Sequence, residues 1–312
     1  MSGPRRVVVL GGGPDAEREV SLNSSQGVYD GLMKSGEYDV ERIVVDRPSV
    51  ADLRAMKADV IVPVLHGPFG EGGPLQDRLE EAGVAYVGCG PVAARLAMDK
   101  LATKAAAWRL GIPTAPAVVF NVNDDVSPLG IPVVVKPVHE GSSVGVHLCK
   151  PKEKWSAARA AAAKDMIAHP GRVYMLESLV DASELTVGVY DPQGDARALP
   201  PIHIQPATEF YDYEAKYLRD DTKYTVDPPL PAGVKEAISS RAIKLVKDLG
   251  VRHLCRVDFL LDKSGGAWML EVNTMPGFTS HSLYPKAAAH AGTPLPDLVS
   301  ALVEMAWRDR RS

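Results

Sequence analysis

Short β-branched runs separated by segments of helical spacing open this chain. Val7 to Leu10, Val40 to Val45 and Val60 to Leu65 are the runs, and Ser21 to Lys34 is one of the helical spacers. Strands that are apolar on both sides must be covered on both faces. Parallel neighbours also need a long crossover connection, so the opening reads as a parallel α/β unit. Sheets of this kind bind ligands beyond the carboxyl ends of their strands, which directs attention to two loops. Gly11-Gly12-Gly13 follows the first strand, but a dinucleotide fingerprint would need glycine where Ala16 stands, and Asp46 is the one acid that closes the second strand. A glycine turn ahead of a helix can equally let a small charged substrate approach the backbone. The second loop runs from His66 to Gly73, with His66 at the end of a strand as either a ligand-facing or a structural histidine.

The 312 residues are 46% hydrophobic, enough for a sizeable core divided into two or three domains. A net charge of -4 without a basic run argues against a nucleic-acid partner. Cys89, Cys149 and Cys255 are odd in number and without CxxC spacing, as expected of buried thiols in a reducing cytoplasm rather than a disulfide or zinc framework. The first apolar run is too short for a signal-peptide core, and no stretch is long enough to span a membrane.

The chemistry is concentrated later in the chain. Arg256-Val257-Asp258-Phe259 and Trp268 to Asn273 read as the two strands of one hairpin around a Lys-Ser-Gly-Gly turn. Residues two apart on a strand share a face, so Glu271 and Asn273 point together and Asp258 can join them from the partner strand. Two carboxylates and an amide suit magnesium shared with a nucleotide, although solvated acids on a hairpin surface would have the same pattern. Lys136 ends the apolar run Val133-Val134-Val135, a costly place for an ammonium unless an anion meets it. The loop that follows, His139-Glu140-Gly141-Ser142-Ser143-Val144-Gly145, is not a Walker loop but can fold its backbone N–H groups over a triphosphate. Glu177 and Glu184, on successive strands, are candidates for adenine and for the ribose hydroxyls. The polar, tyrosine-rich stretch between Pro206 and Pro228 is long enough to be a lid, with Lys216 and Tyr217 reaching inward on closure.

Taken in order, these segments resemble the D-alanine–D-alanine ligase family of the ATP-grasp superfamily. The resemblance rests on Gly12 to Ser21, His66-Gly67, Met98-Asp99-Lys100, Lys136-Pro137, Glu140 to Gly145, Tyr211 to Tyr217, Arg256 to Phe259 and Glu271 to Ser282, and covers nearly the whole chain. It implies an ATP-grasp fold, α/β and α+β, with a Rossmann-like N-terminal domain over 1–97. A small central domain over 98–182 would carry the phosphate loop, and a C-terminal domain over 183–312 the lid and metal site. The implied reaction joins two D-alanines through an acyl phosphate, for peptidoglycan synthesis, with release of ADP and phosphate.

By the same resemblance, Lys100 and Lys136 hold the α- and β-phosphates and Lys216 the γ-phosphate, with Glu140 and Ser143 in the nucleotide loop. Asp258, Glu271 and Asn273 bind two magnesium ions, with manganese as a substitute. Glu17 pairs with the ammonium of the first D-alanine, and Arg256 with the Gly277 N–H stabilises the oxyanion. Ser282 takes the second carboxylate, and Ser142 and Tyr217 fasten the lid to Glu17. A cytoplasmic homodimer is also implied. The sequence departs from the family pattern at Gly72, at Asp77, at Ser178 beside the adenine and at Asp181-Ala182-Ser183. Another ATP-grasp ligase would alter Glu17, Ser142, Tyr217 and Ser282, and a non-catalytic nucleotide binder would lose Arg256 or a metal ligand.

Overall fold

The computed structural model describes residues 4–150, 154–191, 193–207 and 221–310. Lys216 and Tyr217 lie outside the described residues. The N-terminal part runs β1 (Arg5–Gly12), α1 (Arg18–Ser35), β2 (Tyr38–Val45), α2 (Val50–Ala55), β3 (Val60–Pro63), α3 (Gly67–Glu71), α4 (Pro74–Ala82) and β4 (Ala85–Tyr86). Its four strands are all parallel, in the order β2-β1-β3-β4. The central β1 and β3 are buried on both faces, as their valine runs require. The second strand differs from the expectation of two-sided burial. It is the edge of the sheet, and Asp39, Glu41 and Val44 are exposed because no neighbour covers that side. The stretch after His66 also differs, since Pro68 at the start of a helical turn helps wind part of it into α3.

Helices α5 (Pro91–Met98) and α6 (Lys100–Arg109) lead to β5 (Ala117–Val119), β6 (Val133–Pro137), β7 (His147–Cys149), α7 (Lys154–Ala168) and β8 (Tyr174–Ser178). These strands form a separate antiparallel sheet, β5-β8-β6-β7, backed by α7 through Trp155, Ala158 and Ala162. The alanine-rich sequence of α7 combines high helix propensity with little bulk, so it lies close on the sheet.

Strands β9 (Ala182–Tyr190), β10 (Arg197–Ala198), β11 (Ile202–Gln205) and β12 (Lys223–Val226) follow, then α8 (Val234–Asp248), β13 (Leu254–Asp262), β14 (Ala267–Asn273), α9 (Leu283–His290) and α10 (Leu295–Asp309). The order of this third sheet is β12-β11-β9-β13-β14, with β10 paired to β9. One face alternates Leu185, Val187, Val189, Val257, Phe259 and Val272 into a core shared with α5 and α8. The last helix, α10, returns to the first sheet and packs on α1, so residues from both ends of the chain share one core. Among the described residues, no helix is long and apolar enough to cross a membrane.

Candidate active site

Because one face of the third sheet is apolar core, the alternate residues form a polar row on the other. Asp258 lies opposite Glu271 on β14 and opposite Thr186 on β9, while Arg256 lies opposite Asn273. The register shifts just after Asp258, so the bulge ends this polar row where the ligand set ends. Arg256 makes a forked pair with Asp258, with both N···O distances 2.9 Å, and the Thr186 hydroxyl donates to Asp258 Oδ1 at 2.6 Å. Asn273 Oδ1 accepts from the Met275 N–H at 3.1 Å, and Lys100 Nζ lies 3.6 Å from Glu271 Oε2. Among the described residues no group of three or more His, Cys, Asp or Glu side chains is arranged to hold a metal. The oxygen-only set of Asp258, Glu271 and Asn273, flanked by Lys100 and Arg256, fits an ion that completes its shell with phosphate oxygens and water.

The lysines reach this row from the neighbouring sheet and helix. Asp99 caps α6 by accepting from the Leu101 and Ala102 N–H groups at 2.9 Å, which places Lys100 in the first helical turn, facing the hairpin. Its ammonium also donates to the Glu140 carbonyl at 2.5 Å, tying the glycine-serine loop to the helix. Lys136 ends β6 and donates to Glu177 Oε2 on β8 at 2.5 Å. Burial pushes the Glu177 carboxyl up, but Lys136 and Lys104 outweigh it and hold Glu177 below its ordinary value. The carboxylate of Glu140 turns away to Arg172 at 2.5 Å, although burial still pushes its pKa up. Arg172 is in turn held by Asp165 at 2.9 Å.

The glycine-serine loop closes onto the N-terminal unit. Ser142 donates to Glu17, which precedes α1 and is buried. A Cβ at Gly141 would lie 2.8 Å from Glu17 Oε2, so glycine lets the loop approach the carboxylate without displacing it. Ser142 and Ser143 both adopt left-handed backbone, with φ of 50° and 61°, a strained state that surrounding contacts must hold. Nearby, the Phe278 N–H donates to Ser24 Oγ of α1 at 3.1 Å, which fixes the turn carrying Gly277. Ser282 Oγ accepts from the Thr279 N–H at 2.9 Å at the start of α9.

A single cavity of 1680 Å³ is lined by Glu17, Ser142, Arg256, Gly277 and Ser282, and equally by Lys100, Lys136, Glu140, Ser143, Glu177 and Glu184. Asp258, Glu271 and Asn273 line it too, so every expected residue within the described segments meets there.

Two buried residues that bracket α3, His66 and Glu71, enlarge the set. Glu71 accepts from the Met275 N–H at 3.2 Å and the Gly67 N–H at 3.3 Å, and burial, reinforced by the charge of Glu17, pushes its pKa well up. His66 is pulled down to about 4 by burial, with Arg256 adding to the effect, so its ring is neutral at pH 7. Sequence reasoning left Glu71, Lys104, Thr186, Ser24 and Arg172 unassigned. A glutamate among glycines after a buried strand was the available signal for Glu71. Thr186 stands two residues after Glu184 and therefore shares its face.

Comparison with known proteins agrees with this geometry. The family model described as D-ala D-ala ligase C-terminus matches residues 110–304. The D-alanine--D-alanine ligase B of Chromobacterium violaceum is 42% identical over 300 residues, 94% of this chain and 95% of that protein. This chain belongs to the D-alanine–D-alanine ligase family. Another family member, from Anaeromyxobacter sp. (strain K), is 40% identical over 96% of each chain. The solved ligase of Bacillus anthracis, complexed with ATP, superposes with a TM-score of 0.81 at 30% identity and covers 99% of both chains. The ligase structure from Coxiella burnetii, at 24% identity and a TM-score of 0.83, shares the fold. The family's ATP-grasp architecture is thus the architecture of this chain.

Proposed function

We propose that this chain uses ATP to join two D-alanines into D-alanyl-D-alanine for peptidoglycan synthesis, releasing ADP and phosphate. The observation that carries this reading is the meeting of three groups in one cavity: the oxygen ligands of the β13–β14 hairpin, the lysines at 100 and 136, and the Glu17–Ser142 contact. The first two suit a nucleotide triphosphate, and the third an amino-acid ammonium.

The carboxylate of the first D-alanine attacks the γ-phosphorus of ATP and forms an acyl phosphate. The amine of the second then adds to that acyl carbon, and phosphate leaves from the tetrahedral intermediate. Phosphoryl transfer of this kind depends on positioning and charge neutralisation. Lys100 and Lys136 hold the α- and β-phosphates, and Lys216 reaches the γ-phosphate from the lid. Asp258, Glu271 and Asn273 hold two magnesium ions, with manganese able to replace them, which neutralise phosphate charge. Glu17 holds the first ammonium, and a cation there would relieve the repulsion between Glu17 and the buried Glu71. Arg256 and the Gly277 N–H stabilise the oxyanion. Ser282 at the start of α9 binds the second carboxylate, favoured by the helix N-terminus. Glu177 and Glu184 bound the adenosine pocket, and Glu140 and Ser143 shape the loop over the phosphates. Ser142 and Tyr217 fasten the lid to Glu17 and assist loss of the amine proton. Closure keeps water from the acyl phosphate.

The division at 97/98 and 182/183, a homodimeric state and a cytoplasmic location belong to the same proposal. Phosphate release should be measured with ATP, magnesium and D-alanine, L-alanine, D-serine or D-lactate, with products weighed by mass spectrometry. One phosphate per D-alanyl-D-alanine, with D-alanine alone as substrate, is expected. ATP binding without dipeptide formation would overturn the assignment in favour of a different amine acceptor.

A further inference from the structure

Behind the cavity wall lies a buried cation that the proposed reaction leaves without a role. Lys104, on α6, does not line the cavity, whereas Glu177 and Lys136 do. The side chains of Lys104, Glu177 and Lys136 are 6%, 4% and 8% exposed. Glu177 is gripped from both sides, by Lys136 on Oε2 and by Lys104 on Oε1. Lys104 also donates to Thr114 Oγ1 at 2.7 Å and to the Ala115 carbonyl at 3.2 Å. With two hydrogen bonds and an ion pair inside the wall, the Lys104 ammonium is held away from the cavity. Among the described residues, Lys136 has Glu177 as its hydrogen-bond partner, and Lys136 itself lines the cavity.

The cluster is anchored across the two antiparallel sheets. Thr114 Oγ1 donates to the Met269 carbonyl of β14 at 2.8 Å, and the Met269 N–H donates to the Pro113 carbonyl at 2.7 Å. The charges do not cancel, because two ammoniums share one carboxylate. A surplus positive charge is costly in a buried setting unless an anion completes it.

We propose that Lys104 is a positioning residue for the nucleotide: by holding half of the Glu177 carboxylate from behind the wall, it leaves the Lys136 ammonium incompletely neutralised and aimed at the phosphates. This rests on the reading of Lys136 as a phosphate lysine. Without Lys104, Glu177 would pair one-to-one with Lys136 and quench the charge that the phosphates meet. The effect should therefore follow the phosphates of the ligand and not its adenosine, because Lys136 still holds Glu177 in place in the adenosine pocket.

The test is to measure ADP and adenosine affinities of Lys104→Met by calorimetry or by displacement of a fluorescent nucleotide, with thermal unfolding as a check of folding. ADP should weaken about tenfold or more, the scale of one charge-assisted contact, while adenosine changes less than about twofold. If Lys104→Met does not fold, Thr114→Val decides, because it removes one support of the ammonium and keeps every charge. There ADP should weaken by about threefold with adenosine unchanged. Equal weakening of both ligands, or unchanged ADP affinity in a folded variant, would overturn the inference and leave the nucleotide site standing. Failure of the unmodified protein to bind ADP would instead overturn the nucleotide reading, and this inference with it.

Discussion

Replacing His66 by glutamine should flatten the loss of stability in acid. The ring is buried and its pKa falls from 6.5 to about 4 because burial disfavours the charged form, with Arg256 adding to the effect and a hydrogen bond to the Met275 backbone opposing it. Nε2 has no partner among the described residues, so protonation there would place an uncompensated charge in the interior. Since the folded pKa lies below the unfolded one, the stabilising contribution is complete above pH 6.5 and is lost as pH falls toward 4. At about 1.4 kcal/mol per tenfold change in proton affinity, the full loss is roughly 3 kcal/mol, of which roughly 2 kcal/mol is gone at pH 5. His66→Gln keeps an amide donor for Met275 and cannot titrate. Urea unfolding of both proteins at pH 7.5, 6 and 5 should therefore show a gap that moves by roughly 2 kcal/mol in favour of the variant, whatever constant cost the substitution adds. Other acid-sensitive groups are common to both proteins and cancel in the difference. Parallel stability–pH curves would refute the account of a buried neutral imidazole.

Three further outcomes are expected. Ser142→Ala removes a hydrogen bond to a buried carboxylate and a tie that holds a strained loop, so kcat/KM for D-alanine should drop by about 10- to 100-fold; a change below twofold would show that the Glu17 contact does not matter. Thr186→Val keeps shape but removes the hydroxyl from Asp258 Oδ1 and leaves Arg256 to orient that oxygen, and Mn²⁺ affinity read by electron paramagnetic resonance in the presence of ADP should weaken by about 10-fold, the lower end seen for partners of metal ligands; unchanged affinity would exclude an orienting role. Lys216→Ala and, less severely, Tyr217→Phe should lower turnover and raise phosphate released per dipeptide, and an unchanged ratio would remove the water-exclusion argument for the lid.

The pattern of alternation made much of the site legible in advance. Period-two spacing placed Asp258, Glu271 and Asn273 on one face of a hairpin, and the antiparallel register sets Asp258 opposite Glu271. A lysine at the end of a valine run pointed to Lys136. These are local rules, in which chain geometry over a few residues decides direction. The two-sided burial expected for β2 failed because run composition does not say which strand lies at an edge.

Other features depend on segments far apart in sequence. Glu71 acquires its raised pKa only because folding buries it and brings the charge of Glu17 beside it, which together outweigh the lowering effect of the Met275 N–H. Thr186 becomes a partner of Asp258 through the pairing of β9 with β13, and Lys104 meets Glu177 only when α6 packs behind β8. The sequence by itself determined which residue types could meet a phosphate, a metal or an ammonium, and along which strand or helix they stand. Tertiary structure alone decided which of them share a buried volume, because burial and Coulomb coupling depend on distance through space, which local spacing does not encode.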